Sequence, residues 1–465
     1  MESTNRRDFL KTTTATAAGM MLNAPIVKSG FLKRSPNDTI NVAVVGIRGK
    51  GGIYGGGGHY ANYSKMPNVR VAALCDIDER LFSKGVKDVE ELGGNTPKTV
   101  VDFRNLLDDR DIDVVSIATP DHWHALQTVW ACQVGKDVYV EKPISYNLEE
   151  GRKMVQAARK YKRIVQVGTQ NRSNPVAIEA VKFIHDGNLG DIYMGRGIVY
   201  GHRGNIGHVQ DSPVPEGVHW DLFLGPAPYR PFNENRFHYK WHWFWDTSTT
   251  EFGNNGVHHM DKVRWGMNKH IHPVKIHCTG GFYVWDSDQE IPNLQTATFE
   301  YEDGTIMELE VRSLFTNPEF GSKSGAFFFG SKGWMYLGAN EFKTYFGPKD
   351  EPGPTMSGAD VELPVLKDIA ESKTGSSVKI RQLEYAHFSN FIDGVRSRRW
   401  QDLNADILEG HMSTGMIHLG NAAYRTGKKL TFNPYSEKFT GDNADDGNSY
   451  MTREYRSPYL MPDEV

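Results

Sequence analysis

The chain has little of what would class it most quickly. Cysteine is scarce: Cys75, Cys132 and Cys278 are the only three in 465 residues, all in apolar surroundings. So odd and sparse a set excludes a disulfide framework and reads as three buried structural thiols in a chain that folds under reducing conditions. A surplus of one charge is lacking too. With 53 Lys and Arg against 57 Asp and Glu, the net charge is -4, which provides no basic field for nucleic acid. No run of about 18 apolar residues is present, so no membrane-spanning helix is expected. The partners left are small molecules and further copies of the chain, in a homo-oligomer of two or four.

What is present is a folded composition, 39% hydrophobic and 24% charged, over a length that calls for more than one domain. The first residues stand apart. NRRDFLK (5–11) sets paired arginines ahead of the mild apolar run TTTATAAGMML, the pattern of a twin-arginine export signal. Residues 1–35 are therefore assigned to signal and linker, and a periplasmic location is expected.

After a Pro-Asn-Asp breaker, strands and helices alternate. TINVAVVGIRGKGG (39–52) is an apolar strand running into glycines, and VRVAALCDID (69–78) is a second strand ending in acid. A glycine turn lets backbone amides approach a pyrophosphate. Gly46, Gly49 and Gly51 are spaced G-x-x-G-x-G rather than the usual G-x-G-x-x-G. Asp76, thirty residues after Gly46, strengthens the reading because a carboxylate there accepts ribose hydroxyls. It also repels a 2'-phosphate, which favours NAD, whereas Arg48 and Lys50 keep NADP open. Strands at 111–120, 137–143 and 164–170 follow, with helices between them, and this order requires a doubly wound parallel sheet over 38–170. Their ends carry polar groups where such sheets bind ligands: Thr119, Pro120, His122 and His124, then Glu141 and Lys142, then Gln170 and Arg172. Pro143 restricts Lys142, so the amine is held.

The glycine turn, ATPDHWHA, EKP and VGTQNR together resemble the Gfo/Idh/MocA family of sugar oxidoreductases, named for glucose-fructose oxidoreductase and inositol dehydrogenase. The likeness runs on to GHMSTGMIHLGNAAYRTGKKLTF and REYRSPY near the end. It implies an α/β chain: a Rossmann domain, a C-terminal α+β domain on an open, mostly antiparallel sheet, and NAD between them. It also implies that Lys142 of EKP lies beside the nicotinamide and the substrate hydroxyl.

Beyond residue 170 the pattern becomes predominantly β, in keeping with a substrate-binding and oligomerisation domain over 171–433 and a tail over 434–465. Glu302-Asp303-Gly304 between two alternating runs signals a hairpin. Residues 349–377, rich in Pro, Gly and Ser, read as a long surface excursion. The segment 219–246 gathers four tryptophans, two tyrosines and four phenylalanines around polar turns, a composition suited to sugar faces and hydroxyls. Trp220, Trp243 and Trp245 read as core, and Arg236, His238 and Trp241 as pocket. In TSTTEFGNNGVHHMDKVRW, helical spacing puts Asn254, His258 and Asp261 on one face. The family's D-x-x-x-H pattern falls on Asn254 and His258, with an amide in place of the carboxylate, so acid-base work passes to His258 and Lys142. His258 and His259 point about 100° apart on a helix with no further ligand nearby, and no metal is expected.

These residues fit hydride transfer at a carbinol carbon, with His258 as base and Lys142 stabilising the alkoxide, or the reverse. Export adds that the cofactor is tightly held, since little free dinucleotide is available outside the cytosol. Two enzyme readings follow: a sugar, polyol or glycoside oxidoreductase, and a redox-neutral glycoside-cleaving enzyme that transiently oxidises C3. A non-catalytic sugar-binding module is the third.

Overall fold

A computed structural model of the chain describes residues 38–361 and 381–465. The signal expected over 1–35, and 362–377 of the expected surface excursion, lie outside the described residues.

Six parallel strands open the fold: β1 (Ile40–Val45), β2 (Val69–Cys75), β3 (Lys98–Val100), β4 (Val114–Ile117), β5 (Asp137–Val140) and β6 (Val165–Val167), in the order β3-β2-β1-β4-β5-β6. Helices α1 (His59–Lys65), α2 (Phe82–Gly93), α3 (Asp121–Gln133) and α4 (Leu148–Lys160) connect them. Sheet residues buried from both sides need no alternation, which is why β4 and β5 read as continuous apolar runs. Local signals set the helix ends. Asn147 accepts the Glu150 amide at 3.0 Å to start α4, and Arg159 and Lys160 sit in its last turn, where the helix dipole favours cations. The strand order reverses between β1 and β4, so the carboxyl ends of these strands border a crevice.

The second sheet has ten strands: β7 (Ile192–Val199), β8 (Lys275–Gly281), β9 (Leu294–Glu300), β10 (Ile306–Arg312), β11 (Ser324–Gly330), β12 (Gly333–Leu337), β13 (Glu341–Phe346), β14 (Glu351–Ser357), β15 (Leu430–Asn433) and β16 (Lys438–Thr440). Among the assigned pairings only β7 with β10 is parallel; the others are antiparallel, as β9 with β10. The β9–β10 hairpin turns at Gly304, whose φ of 81° suits glycine. β9 alternates between buried and half-buried residues, so one sheet face meets a core. Helices α5 (Pro175–His185), α6 (Val257–Gly266), α7 (Gln382–Ser397) and α8 (Ile407–Thr426) complete the longer elements. Met260 and Val263 of α6, with Met416 and Ile417 of α8, pack on Leu309 and Phe328 of the sheet.

β14 corrects the expectation of a surface excursion. Its Pro352 and Pro354 stand on an edge strand, where a missing N–H is tolerated. The chain also returns to the first core. Phe388 and Phe391 of α7 pack with Tyr63, Tyr139 and Val44, while Ile407, Tyr459 and Met461 join the core around Val115 and Val138. All three cysteines are buried, and burial pushes the Cys278 thiol up to about 12. No helix among the described residues is long and apolar enough to cross a membrane.

Candidate functional site

At the carboxyl ends of the first sheet lies a cleft of about 450 Å³, within the range of small-molecule sites. One wall comes from the Rossmann strand ends, the other from 203–258. Gly46 follows β1 with a φ of 81°, and a Cβ there would meet the Ala118 carbonyl oxygen at 2.6 Å, so only glycine fits. A Cβ on Gly49 would face open space. Gly51 lies inside the turn rather than on the cleft surface. The loop is longer than a tight Rossmann turn, because α1 begins only at His59.

Asp76 ends β2 and lines the cleft; its Oδ2 accepts the Ile47 amide at 2.7 Å and its Oδ1 the Asp78 amide at 3.0 Å. Burial raises its carboxyl to about 6. The one carboxylate therefore secures the glycine turn and presents remaining lone pairs to the cleft. Arg48, Thr119, Pro120, His124, Glu141 and Gln170 also line it. A glycine that admits no Cβ, an acid at the end of β2 and polar groups at the ends of β4 and β5 fit a dinucleotide.

Lys142 emerges from β5 into the centre. Its Nζ donates to the Asn254 carbonyl oxygen at 2.6 Å, joining the two walls. Burial lowers its pKa, opposed by Glu141 and Asp121. Burial alone would raise Glu141, but the hydrogen bond with His59 at 3.1 Å and the charges of Lys50 and His59 bring it down to about 2. Asp121, in the first turn of α3, accepts the Thr249 hydroxyl at 2.6 Å and amide at 3.1 Å, yet burial raises it to about 7. His258 lines the cleft with its Nδ1 lacking a hydrogen-bond partner. Burial, reinforced by the Lys142 charge, pushes it down to about 3.

Asn254 and Asn255 sit in a π-helical turn, Phe252–Gly256, ahead of α6. Buried Glu251 accepts from both amides, Asn254 Nδ2 at 2.9 Å, and from Arg203 Nη2 at 2.7 Å. Asn254 and His258 both reach the cleft. Asp261 does not, so the expected shared face holds for two of the three. Asp261 is instead buried, 2.9 Å from Arg172 Nε and 2.7 Å from the Ser413 hydroxyl. Arg172 in turn lies 3.0 Å from Glu409, and neither of the pair lines the cleft.

Arg236 is also off the cleft, paired with Glu290 at 2.9 Å over the Phe244 ring. His122 is buried away from it, with Nε2 3.0 Å from the Phe223 carbonyl oxygen. His238 and Trp241 do line the cleft, with Trp241 stacked on His242 at 3.6 Å. Burial holds His238 to about 4 and His242 to about 3. Trp220 and Trp243 are buried, and Trp245 is half-buried beside Tyr424. Sequence reasoning passed over Tyr54, Arg203, Tyr239, His242 and Asn255. Glu251, three and four residues before the two asparagines, was the available signal for that group.

Two family models match the chain. One, described as oxidoreductase family, NAD-binding Rossmann fold, covers residues 40–169, and the other, oxidoreductase family, C-terminal alpha/beta domain, covers 200–345 and 374–461. Among curated proteins, the uncharacterized oxidoreductase YrbE of Bacillus subtilis is 32% identical over 57% of this chain and 66% of its own length. A glycosyl hydrolase family 109 protein of Shewanella pealeana is 27% identical over 33% of this chain and 37% of its own. The chain thus spans from about a third to about two thirds of these relatives. Among solved structures, levoglucosan dehydrogenase in complex with NADH and levoglucosan superposes with a TM-score of 0.61 at 16% identity, over 85% of this chain and 99% of that one. The WlbA dehydrogenase of Bordetella pertussis, in complex with NADH and UDP-GlcNAcA, gives 0.59 at 19%, over 86% and 99%. At such identities the likeness is one of fold.

Proposed function

From the premise that the chain belongs to the Gfo/Idh/MocA oxidoreductase family and carries its NAD-binding Rossmann domain, we propose that it moves a hydride to or from a hydroxyl-bearing carbon of a sugar, polyol or glycoside. The observation that carries this reading is Lys142, a half-buried amine of lowered pKa in the cleft, tied to the second wall through the Asn254 carbonyl. Bound NAD supplies the hydride acceptor or donor. Gly46 and Asp76 would hold its adenosine side, and Thr119, Pro120 and Glu141 would border its path toward Lys142.

In the oxidative direction the substrate hydroxyl must lose a proton as its carbon loses hydride. A base works best when its pKa lies near the operating pH. Lys142, lowered from the ordinary range, approaches that condition, whereas His258 at about 3 has left it. Lys142 therefore takes the proton. Neutral His258 borders the hydroxyl from the second wall, and Asn254, held by Glu251, flanks it. Trp241, Tyr239 and His242 present ring faces to the C–H faces of a sugar. Export through a twin-arginine signal would place the enzyme in the periplasm with its cofactor retained, so turnover would require a second carbonyl substrate.

A redox-neutral glycoside-cleaving cycle is the second reading, favoured by the family 109 glycosyl hydrolases among the relatives. The two separate when purified holoprotein receives a p-nitrophenyl glycoside alone. The oxidoreductase gives one burst of near-ultraviolet nicotinamide absorbance that an added ketose discharges. Continuous p-nitrophenol release with no acceptor, and deuterium exchange from solvent at C2, would replace it by the second.

A further inference from the structure

Three side chains from separate elements converge outside the cleft. His272 precedes β8, His411 lies on α8, and Glu437 falls between β15 and β16; one ligand-type atom of each lies within 4.8 Å of the others. His411 Nε2 is 2.8 Å and His272 Nε2 3.3 Å from Glu437 Oε1. Both imidazoles are 1% exposed and the carboxylate side chain 13%. The His272 approach lacks hydrogen-bond alignment, and neither of its ring nitrogens has a hydrogen-bond partner. Leaving a buried polar group unsatisfied is costly, so an unpartnered ring aimed at a carboxylate asks for an occupant.

The surroundings are shaped for these rings. A Cβ on Gly151 of α4 would stand 2.6 Å from His411 Nδ1, and one on Gly415 of α8 would overlap His272 Cε1. Arg152, also on α4, donates through Nε to Glu437 Oε2 at 2.8 Å and through Nη2 to Oε1. A carboxylate ligand is commonly oriented by such an outer partner. Tetrahedral ligands about 2.0 to 2.1 Å from zinc stand about 3.3 Å from one another, which the His272–Glu437 separation matches, while His411, at 2.8 Å from the same oxygen, would have to draw back slightly.

We propose that His272, His411 and Glu437 form a divalent transition-metal site, of zinc type, that staples the C-terminal segment and α8 to the start of β8. Two imidazoles and a carboxylate favour zinc over magnesium or calcium. The site leaves one position for water and lies apart from the cleft lining, so the proposal is independent of the reaction assigned above. The sequence-based expectation of no metal had weighed His258 and His259, whose rings part company: His259 Nε2 meets the Ser324 hydroxyl at 2.8 Å.

The test uses untagged full-length protein, stripped with a chelator, loaded with zinc alone, desalted and analysed for metal and for unfolding midpoint. Stoichiometric zinc and a raised midpoint are expected, with retained zinc falling at least about tenfold in His272→Ala. If that variant fails to fold, cobalt loading of the unmodified protein decides, and four-coordinate ligand-field bands are expected. No retained zinc, retention equal to that of His272→Ala, or no such cobalt bands would overturn the site and leave a latch of His411 and Arg152 hydrogen-bonded to Glu437.

Discussion

The Rossmann wall of the cleft takes its polar groups from the ends of regular strands, Asp76 after β2, Thr119 after β4, Glu141 and Lys142 after β5, whereas the second wall takes Arg203, Trp241, His242 and Asn254 from turns and a π-helical step. A strand end is fixed by hydrogen bonds on both sides, so the chemistry that tolerates least displacement sits there. The irregular wall is fixed by side chains. Glu251 alone gathers Arg203, Asn254 and Asn255, which lets the substrate-facing surface vary without disturbing the sheet. On the proposed function the two walls divide into a reacting side and a selecting side, joined at the Lys142–Asn254 hydrogen bond.

The division breaks most visibly at Lys142. Lys142→Met keeps the stem and deletes the amine, and turnover should fall about 10² to 10⁴-fold with the cofactor still bound, as dinucleotide released on denaturation would report. Undiminished turnover would move the chemistry to the other wall.

The same contrast explains what was legible in the sequence. Alternating apolar runs and helices, with glycines after β1 and an acid after β2, spelled out the first sheet and most of its wall. The β9–β10 hairpin was readable from Asp303-Gly304. The second wall has no periodicity, so Arg203 and Tyr239 left no trace. Charge beside a motif also misled. Arg172 follows the VGTQN signature but is buried against Asp261 and Glu409, Arg236 pairs with Glu290, and His122 turns to the Phe223 carbonyl, because their partners are 54 to 237 residues away along the chain. The π-helical turn altered the spacing on which the Asn254, His258 and Asp261 face was drawn.

Arg172 sharpens the comparison from the structural side. Arg172→Met leaves Asp261 buried without its closest cation, and stability should fall by about 3 to 5 kcal/mol in denaturant titration. Retained cofactor in the folded fraction would confirm that the pair supports the wall rather than the ligand. A loss of cofactor at unchanged stability would return Arg172 to the cleft.

Asp121 offers a smaller effect. Its folded-state carboxyl holds a proton to about 7, above the ordinary 3.8, so the folded chain binds the extra proton between those values. Stability from this group therefore falls as pH rises through that window and levels off above it, a span of roughly 4 kcal/mol at most. Asp121→Asn should flatten that part of the stability profile measured by urea midpoints; an unchanged slope would mean that another group carries it.

The central claim is that Lys142 takes the hydroxyl proton while His258 stays neutral. The direct measurement is the rate of the single nicotinamide burst across pH, in the unmodified holoprotein and in the Lys142→Met and His258→Gln variants. The rate should rise with pH through one ionisation as the amine loses its proton; that rise should persist, at a lower rate, in His258→Gln and vanish in Lys142→Met. A rise that survives in Lys142→Met and disappears in His258→Gln would contradict the assignment.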